Sequence, residues 1–305
     1  MGRQGLRAPP TGPAMTQRQV ADLRELRTHY RPDSRPPWHA VLVQQPLNGG
    51  KVSIAQIDSL AEHPQATALT ISGLEDKSLA HFVSRFGGQF TAVHFWKCPR
   101  VADLSPLEGM SKLTHVAFYW NQRATRLWNF ARTPALRGLH FDDFAKLGRL
   151  DDLAAATSLE TLVFGNAVWN KFAVETLEPL TALGRSLQHL TFNAKSVADG
   201  RIEPLARLAA LTTLDFPSHL FTTEQIAWLR ARAPAALASE ALEPFRRLRS
   251  PLMRRGKPLD VLVAGKGKPF LSSQTDAAKL ARYVESFEQA RARFAADSSL
   301  EPTAL

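Results

Sequence analysis

Seven segments of this chain carry one short pattern at nearly constant spacing, and this limits its possible folds more than any other feature. Starting at Ala66, Phe90, Leu113, Leu136, Leu159, Leu187 and Leu211, they read ATALTISG, FTAVHFWK, LTHVAFYW, LRGLHFDD, LETLVFGN, LQHLTFNA and LTTLDFPS. The shared form is L-x-x-L-x-F, and successive starts lie 24, 23, 23, 23, 28 and 24 residues apart. A fixed period of this size marks an array of stacked units, each too small to bury its own apolar side.

Each unit has a second half. Leu104, Leu107 and Met110 lead into Leu113, Leu127 and Phe130 into Leu136, Leu150, Leu153 and Ala156 into Leu159, and Ile202, Leu205 and Leu208 into Leu211. An apolar residue at every third place suits a short helix or 3₁₀ turn with one buried side. The first half suits a strand whose first, fourth and sixth residues point inward. The sixth positions are Ile71, Phe95, Phe118, Phe141, Phe164, Phe192 and Phe216, so six phenyl rings are expected to stack as an interior spine.

These repeats resemble bacterial leucine-rich repeats of 22 to 24 residues, and VADLSPLEGMSKLTHVAF (101–118) is especially similar to the internalin type. The resemblance covers residues 66–237. It implies an α/β leucine-rich-repeat solenoid, with a parallel sheet on the concave face and short helices or 3₁₀ turns on the convex face. It also implies Asn or Cys at position nine, bonded to backbone in the turn. Here that position holds Leu74, Cys98, Asn121, Phe144, Ala167, Lys195 and His219, so only two of seven fit.

The ends of a solenoid expose core and need covering. Residues 16–65 are expected to supply an N-terminal cap and a degenerate first repeat. In them, 16–29 reads as an amphipathic helix with Val20, Leu23 and Leu26 on one side, 38–45 as a strand and 53–63 as a helix. Residues 238–305 are expected to form an α+β C-terminal cap or appendage. A helix over 222–232 precedes it, and it holds a second helix over 239–248, a hairpin over 258–271 and a last helix over 274–294. Residues 1–15, rich in Pro, Gly and Arg, read as a disordered leader.

Composition narrows the function classes. Hydrophobic residues make up 44% and charged residues 22%, as in a folded soluble protein. No run reaches the roughly 18 to 20 apolar residues of a membrane helix. The first residues lack the apolar core of a secretory signal. With one cysteine, Cys98, neither an internal disulfide nor a zinc cluster is available. A cytoplasmic protein is expected. The net charge of +10 sits in the flanks: seven arginines against three acids over residues 3–35, and eight basic residues against Asp260 alone over 246–268.

The variable strand positions form ladders across the concave face, with strands roughly 4.8 Å apart. Together they place His94, Trp96, His115, Tyr119, Trp120, His140, Asp142 and Asp143 on one patch. Aromatic side chains beside charges match the make-up of interface hot spots, so this patch is the expected site for a protein partner; the alternative is that some of its rings fold over the sheet edge or lie under the N-terminal helix. His94, His115, His140 and Asp142 are of metal-ligand type but lack a motif spacing, and neither metal nor cofactor is expected. AGKGKP (264–269) lacks the frame of a phosphate-cradling loop, and no nucleophile, base and acid set emerges, so an enzyme is not expected. The alternative function is binding of nucleic acid or an acidic partner through the basic flanks 3–35 and 246–268, with Arg246, Arg247, Arg249, Arg254, Arg255 and Lys257 as the site. An inserted stretch in the fifth repeat, AVWNKFAVET, offers Trp169 and Phe172 either as a contact loop or as buried rings.

Overall fold

A computed structural model of the chain describes residues 18–28, 36–46 and 50–303. The expected leader over 1–15, the start and the last residue of the expected helix over 16–29, and the two C-terminal residues lie outside them.

Each repeat contributes one strand. These are β1 (His39–Leu42), β2 (Ala68–Ile71), β3 (Ala92–Trp96), β4 (His115–Asn121), β5 (Gly138–Phe144), β6 (Thr161–Gly165), β7 (His189–Asn193) and β8 (Thr213–Asp215). They pair in chain order as one parallel sheet. The register aligns equal repeat positions: Ala92, His115, Gly138, Thr161, His189 and Thr213 form one row, and Thr70, His94, Ala117, His140, Val163, Thr191 and Asp215 another. A strand of three to seven residues followed by a return of about sixteen leaves space for little more than a turn of helix. Accordingly, 3₁₀ segments occupy Ser59–Glu62, Ser105–Gly109, Phe130–Arg132, Asp151–Ala155 and Glu178–Leu183.

The α-helices among the described residues are α1 (Leu23–Thr28), α2 (Ile54–Asp58), α3 (Asp76–Phe86), α4 (Glu203–Ala206), α5 (Thr223–Arg232) and α6 (Ala277–Ala296). Ser53 and Gln56 form a capping box at α2, and Thr222 and Gln225 form one at α5. In α3, Leu79, Phe82, Val83 and Phe86 make the buried stripe.

Between sheet and outer turns runs a continuous core that takes in every fourth- and sixth-position residue from Leu69 to Phe216. Phe95 stacks on Phe118 at 4.8 Å. Phe141, Phe164, Phe192 and Phe216 stack in sequence at 5.4, 5.3 and 5.6 Å. At the Phe118–Phe141 step the ring of Phe144 stands edge-on to both, 5.6 Å from each. Phe144 occupies position nine, where a small polar residue would have left the rings room to stack. At Asn121 the expected turn chemistry is present: its amide donates to the Cys98 and Val101 carbonyls at 3.3 and 2.9 Å and accepts from the Arg123 and Ala124 amides at 3.0 and 2.9 Å.

Two regions differ from the sequence expectation. Residues 239–248 hold only a 3₁₀ turn, Glu240–Leu242. From Phe245 the chain is β9 (Phe245–Arg254), paired antiparallel with β10 (Lys257–Val263), which pairs with β11 (Phe270–Leu271). Arg255 and Gly256, at φ 50° and 75°, close the first hairpin, a turn that hides inside a run of basic residues. α6 buries Phe287 and Phe294, and α5 meets it where Arg232 donates to the Phe294 carbonyl at 3.0 Å.

The second difference is α1. It does not lie over the end of the stack. It lies on the concave face, in contact with β2, β3, β4 and β5.

Candidate functional site

The concave face is divided in two by α1. Asp22 starts this helix by accepting from the Arg24 and Glu25 amides, both at 2.8 Å. Val20 and Leu26 then pack on Ala68, Ala92 and Ala117 of three neighbouring strands, with Trp38 alongside, as an apolar cluster separate from the core. Small side chains are what allow a helix to approach a sheet this closely. Gly138, in the row of Ala68 and Ala92, adds to the space, because a Cβ there would stand 2.5 Å from His115 Cδ2 and 3.1 Å from Leu23 Cγ. Thr67 anchors the segment further by donating to the Arg18 carbonyl at 2.6 Å.

Several sequence-expected site residues lie beneath this helix and are therefore covered. His94, His115, His140 and Asp142 are buried there, while Asp143 is buried against the inserted loop. His140 Nε2 meets Asp142 Oδ2 at 2.6 Å, and Arg27 Nη1 meets His140 Nδ1 at 2.9 Å. A guanidinium can only donate, so Nδ1 accepts and the ring proton sits on Nε2, facing the carboxylate. His94 has no such partners: both ring nitrogens are buried and unpaired. Burial first, then the Arg27 charge and the neighbouring imidazoles of His140 and His39, pushes its pKa down to about 3. An unmet buried polar group of this kind costs about 1–3 kcal/mol. Burial also lowers the pKa of His115.

The rest of the patch forms the rim where the strands leave the sheet. Trp96, Tyr119 and Trp120 are half-buried there, with Lys97 Nζ 4.9 Å from the Trp96 ring centre. Burial, then Asp143 and Asp142, raises the Tyr119 phenol above its ordinary range. Asp143 serves the inserted loop, its carboxylate accepting from the Ala167, Val168 and Trp169 amides at 3.0–3.1 Å. That loop resolves the sequence ambiguity both ways. Phe172 is buried, edge-on to Phe141 and Phe164, while Val168 and Trp169 are 62% and 51% exposed. Trp120 and Trp169 line a notch of about 130 Å³ floored by Phe144 and Phe172.

Beyond α1 the concave face is open. His189, Thr191, Thr213 and Asp215 are exposed and Thr161 and Val163 half-buried. Between this area and α1 runs a groove of about 600 Å³, bordered by Arg24, Arg27, Arg137, Glu160 and His189. Thr161, Thr191 and Thr213 hold variable strand positions of the same ladders, but nothing in the sequence ranks them above the aromatic patch.

Of the basic segment, Arg246 bonds Asp215 and the Phe216 carbonyl, Arg247 lies 3.6 Å from Asp260, and Lys257 pairs with Asp276 at 2.7 Å. Arg249, Arg254 and Arg255 are exposed along the β9 hairpin, beside Leu252 and Met253. Cys98 is buried and its thiol is pushed up to about 12 by that burial, the reverse of what a nucleophile needs. Among the described residues, no three or more His, Cys, Asp or Glu side chains gather as a metal site, and no helix is long and apolar enough to cross a membrane.

The period, the aligned register and the single shared core define an α/β solenoid of leucine-rich coils. No family model matches the chain, and no curated protein does. Among solved structures it is similar to an internalin C2 of Listeria monocytogenes, with a TM-score of 0.43 and 20% identity over 56% of this chain and 69% of that one.

Proposed function

We propose that this chain is a cytoplasmic, non-catalytic recognition module that binds a partner protein on the concave side of its solenoid, as an adaptor, inhibitor or regulatory subunit. The observation that carries the reading is the open half of the concave sheet. Its exposed threonines and His189 border a groove of about 600 Å³ that could hold a polypeptide segment. The aromatic rim of Trp96, Tyr119 and Trp120, extended by Trp169, adds the large, rigid side chains that dominate interface energies. His94, His115, His140 and Asp142 then act from beneath α1, and Asp143 acts by holding the Trp169 loop.

Affinity capture tests this. Wild-type chain is compared with a Thr191→Arg, Thr213→Arg double variant in nuclease-treated extract at moderate salt. A protein retained by the wild type and lost with the variant supports the reading. Equal retention by both contradicts it.

A second reading rests on β9, an edge strand whose Arg249, Arg254 and Arg255 are exposed. It places nucleic acid or an acidic partner along the hairpin. Binding would then fall steeply with salt and with substitution of these arginines.

A further inference from the structure

We infer that the concave strip under α1 is itself a peptide-binding groove, and that residues 18–28 occupy it in place of a segment of the partner. This rests on the recognition reading above and assigns the chemistry of one contact. The partner segment would present two or three apolar side chains on one face of a short helix and a guanidinium or ammonium one residue beyond the last of them.

Four observations support this. First, the apolar contacts of the segment are separate from the main core: Val20 and Leu26 meet Ala68, Ala92 and Ala117 in a cluster of their own. Removing the segment would uncover the strip without opening the solenoid. Second, α1 spans six of the described residues, too few for a helix to persist by itself, so it is held by the groove and not the reverse. Third, the strip is shaped for close approach by a helix, with three alanines and Gly138, whose missing Cβ leaves space for Leu23.

Fourth, the segment matches the groove at one polar point and misses at another. Arg27 reaches the His140–Asp142 pair, at 2.9 Å from Nδ1. His94, in the row next to Ala92 and beside Ala117, is left with both nitrogens unmet. Buried side-chain nitrogens are nearly always paired in native structures. A partner segment carrying a hydroxyl, amide or carboxylate over His94 would meet the need that α1 leaves open, and would displace it. The chain's own segment has the advantage of being tethered, which acts as a high local concentration.

The test uses the full-length chain and a fluorescein-labelled peptide of its own residues 18–28. In a Leu26→Asp variant a carboxylate replaces a fully buried leucine against the alanine strip, which releases the tethered segment. The variant is expected to bind the peptide at least tenfold more tightly than wild type does, by fluorescence anisotropy. An Arg27→Glu peptide is expected to bind at least tenfold more weakly. If the variant retains its cooperative unfolding but binds no peptide up to millimolar concentration, the groove reading is overturned. If the variant loses cooperative unfolding, α1 is integral to the fold, which also overturns it. Either failure leaves recognition on the open half untouched, because that is read from the Thr191→Arg, Thr213→Arg capture.

Discussion

Arg27 and His140, 113 residues apart in sequence, meet at 2.9 Å where α1 crosses the concave sheet. The contact ties the segment before the first repeat to the middle of the array. Arg27 is partly exposed, so its bond is weakened by solvent screening and is worth about 1 kcal/mol. Arg27→Ala is expected to leave the global unfolding midpoint nearly unchanged. It should speed amide hydrogen exchange across residues 20–28 about fivefold, the factor that 1 kcal/mol gives. Unchanged exchange there would show that the apolar contacts alone hold the segment.

The buried imidazoles make stability depend on pH. His94 is held at about 3 in the folded chain against an ordinary 6.5. Between those values the released or unfolded chain takes up a proton that the folded one refuses. Stability is therefore complete above about pH 6.5 and falls as pH drops toward 3. The titratable groups facing His94 are Arg27 of α1, whose fixed charge opposes a further proton, and the imidazoles of His140 of β5 and His39 of β1, which oppose it once they are protonated. His115 shifts in the same direction. At pH 5.5 His94 alone accounts for a loss of about 1.4 kcal/mol. Denaturant unfolding at pH 7.5 and 5.5 measures this, and His94→Gln should reduce the difference by about that amount.

Phe164 carries the ring stack through the inserted repeat. It stacks at 5.4 Å on Phe141 and 5.3 Å on Phe192, with Phe172 edge-on at 5.9 Å. Phe164→Ala is expected to cost about 3–5 kcal/mol, because the stacked neighbours cannot close the cavity. Calorimetry would show a lowered transition involving the whole array, since the core is continuous.

Asn121 makes four backbone hydrogen bonds inside its turn. Asn121→Ala is expected to cost about 3 kcal/mol, because buried carbonyls and amides lose their partner. Lys195, at the same repeat position but exposed, should tolerate alanine within about 0.5 kcal/mol. Equal costs in urea unfolding would contradict this account of the turn.

Trp169 is held out by the Asp143 carboxylate and is 51% exposed. Trp169→Ala is expected to change stability by less than about 0.5 kcal/mol. Asp143→Ala removes the acceptor for three amides, so it should loosen the loop and raise amide exchange over 167–169. A large stability loss at Trp169 would assign the ring to packing instead of contact.

The repeat was legible because each coil must bury the same positions, so Leu69 to Leu214 and Phe95 to Phe216 recur at one period. The ladders were legible for the same reason, since parallel pairing in chain order permits a single register. The position of α1 was not. Val20, Leu23 and Leu26 show that a helical face is buried, but not against what. A trace existed in the row that holds Ala68, Ala92 and Gly138, and in Ala117 of the row beside it, where small side chains stand on a face otherwise free to carry large ones. Burial of His94, His115 and His140 follows from that covering, so residue type suggested one open patch where the structure covers the imidazoles and leaves Trp96, Tyr119 and Trp120 as a half-buried rim. The β9 strand was obscured because its arginines obey neither a helical nor an alternating apolar pattern.

Recognition through the open concave half is tested most directly by site-specific photo-crosslinking in native extract. A benzoylphenylalanine placed at Thr191 on the concave sheet is compared with one at Ala131 on the convex 3₁₀ turn, both exposed. The account predicts a discrete protein adduct from position 191 and none from 131. An adduct from 131 with none from 191 would contradict it.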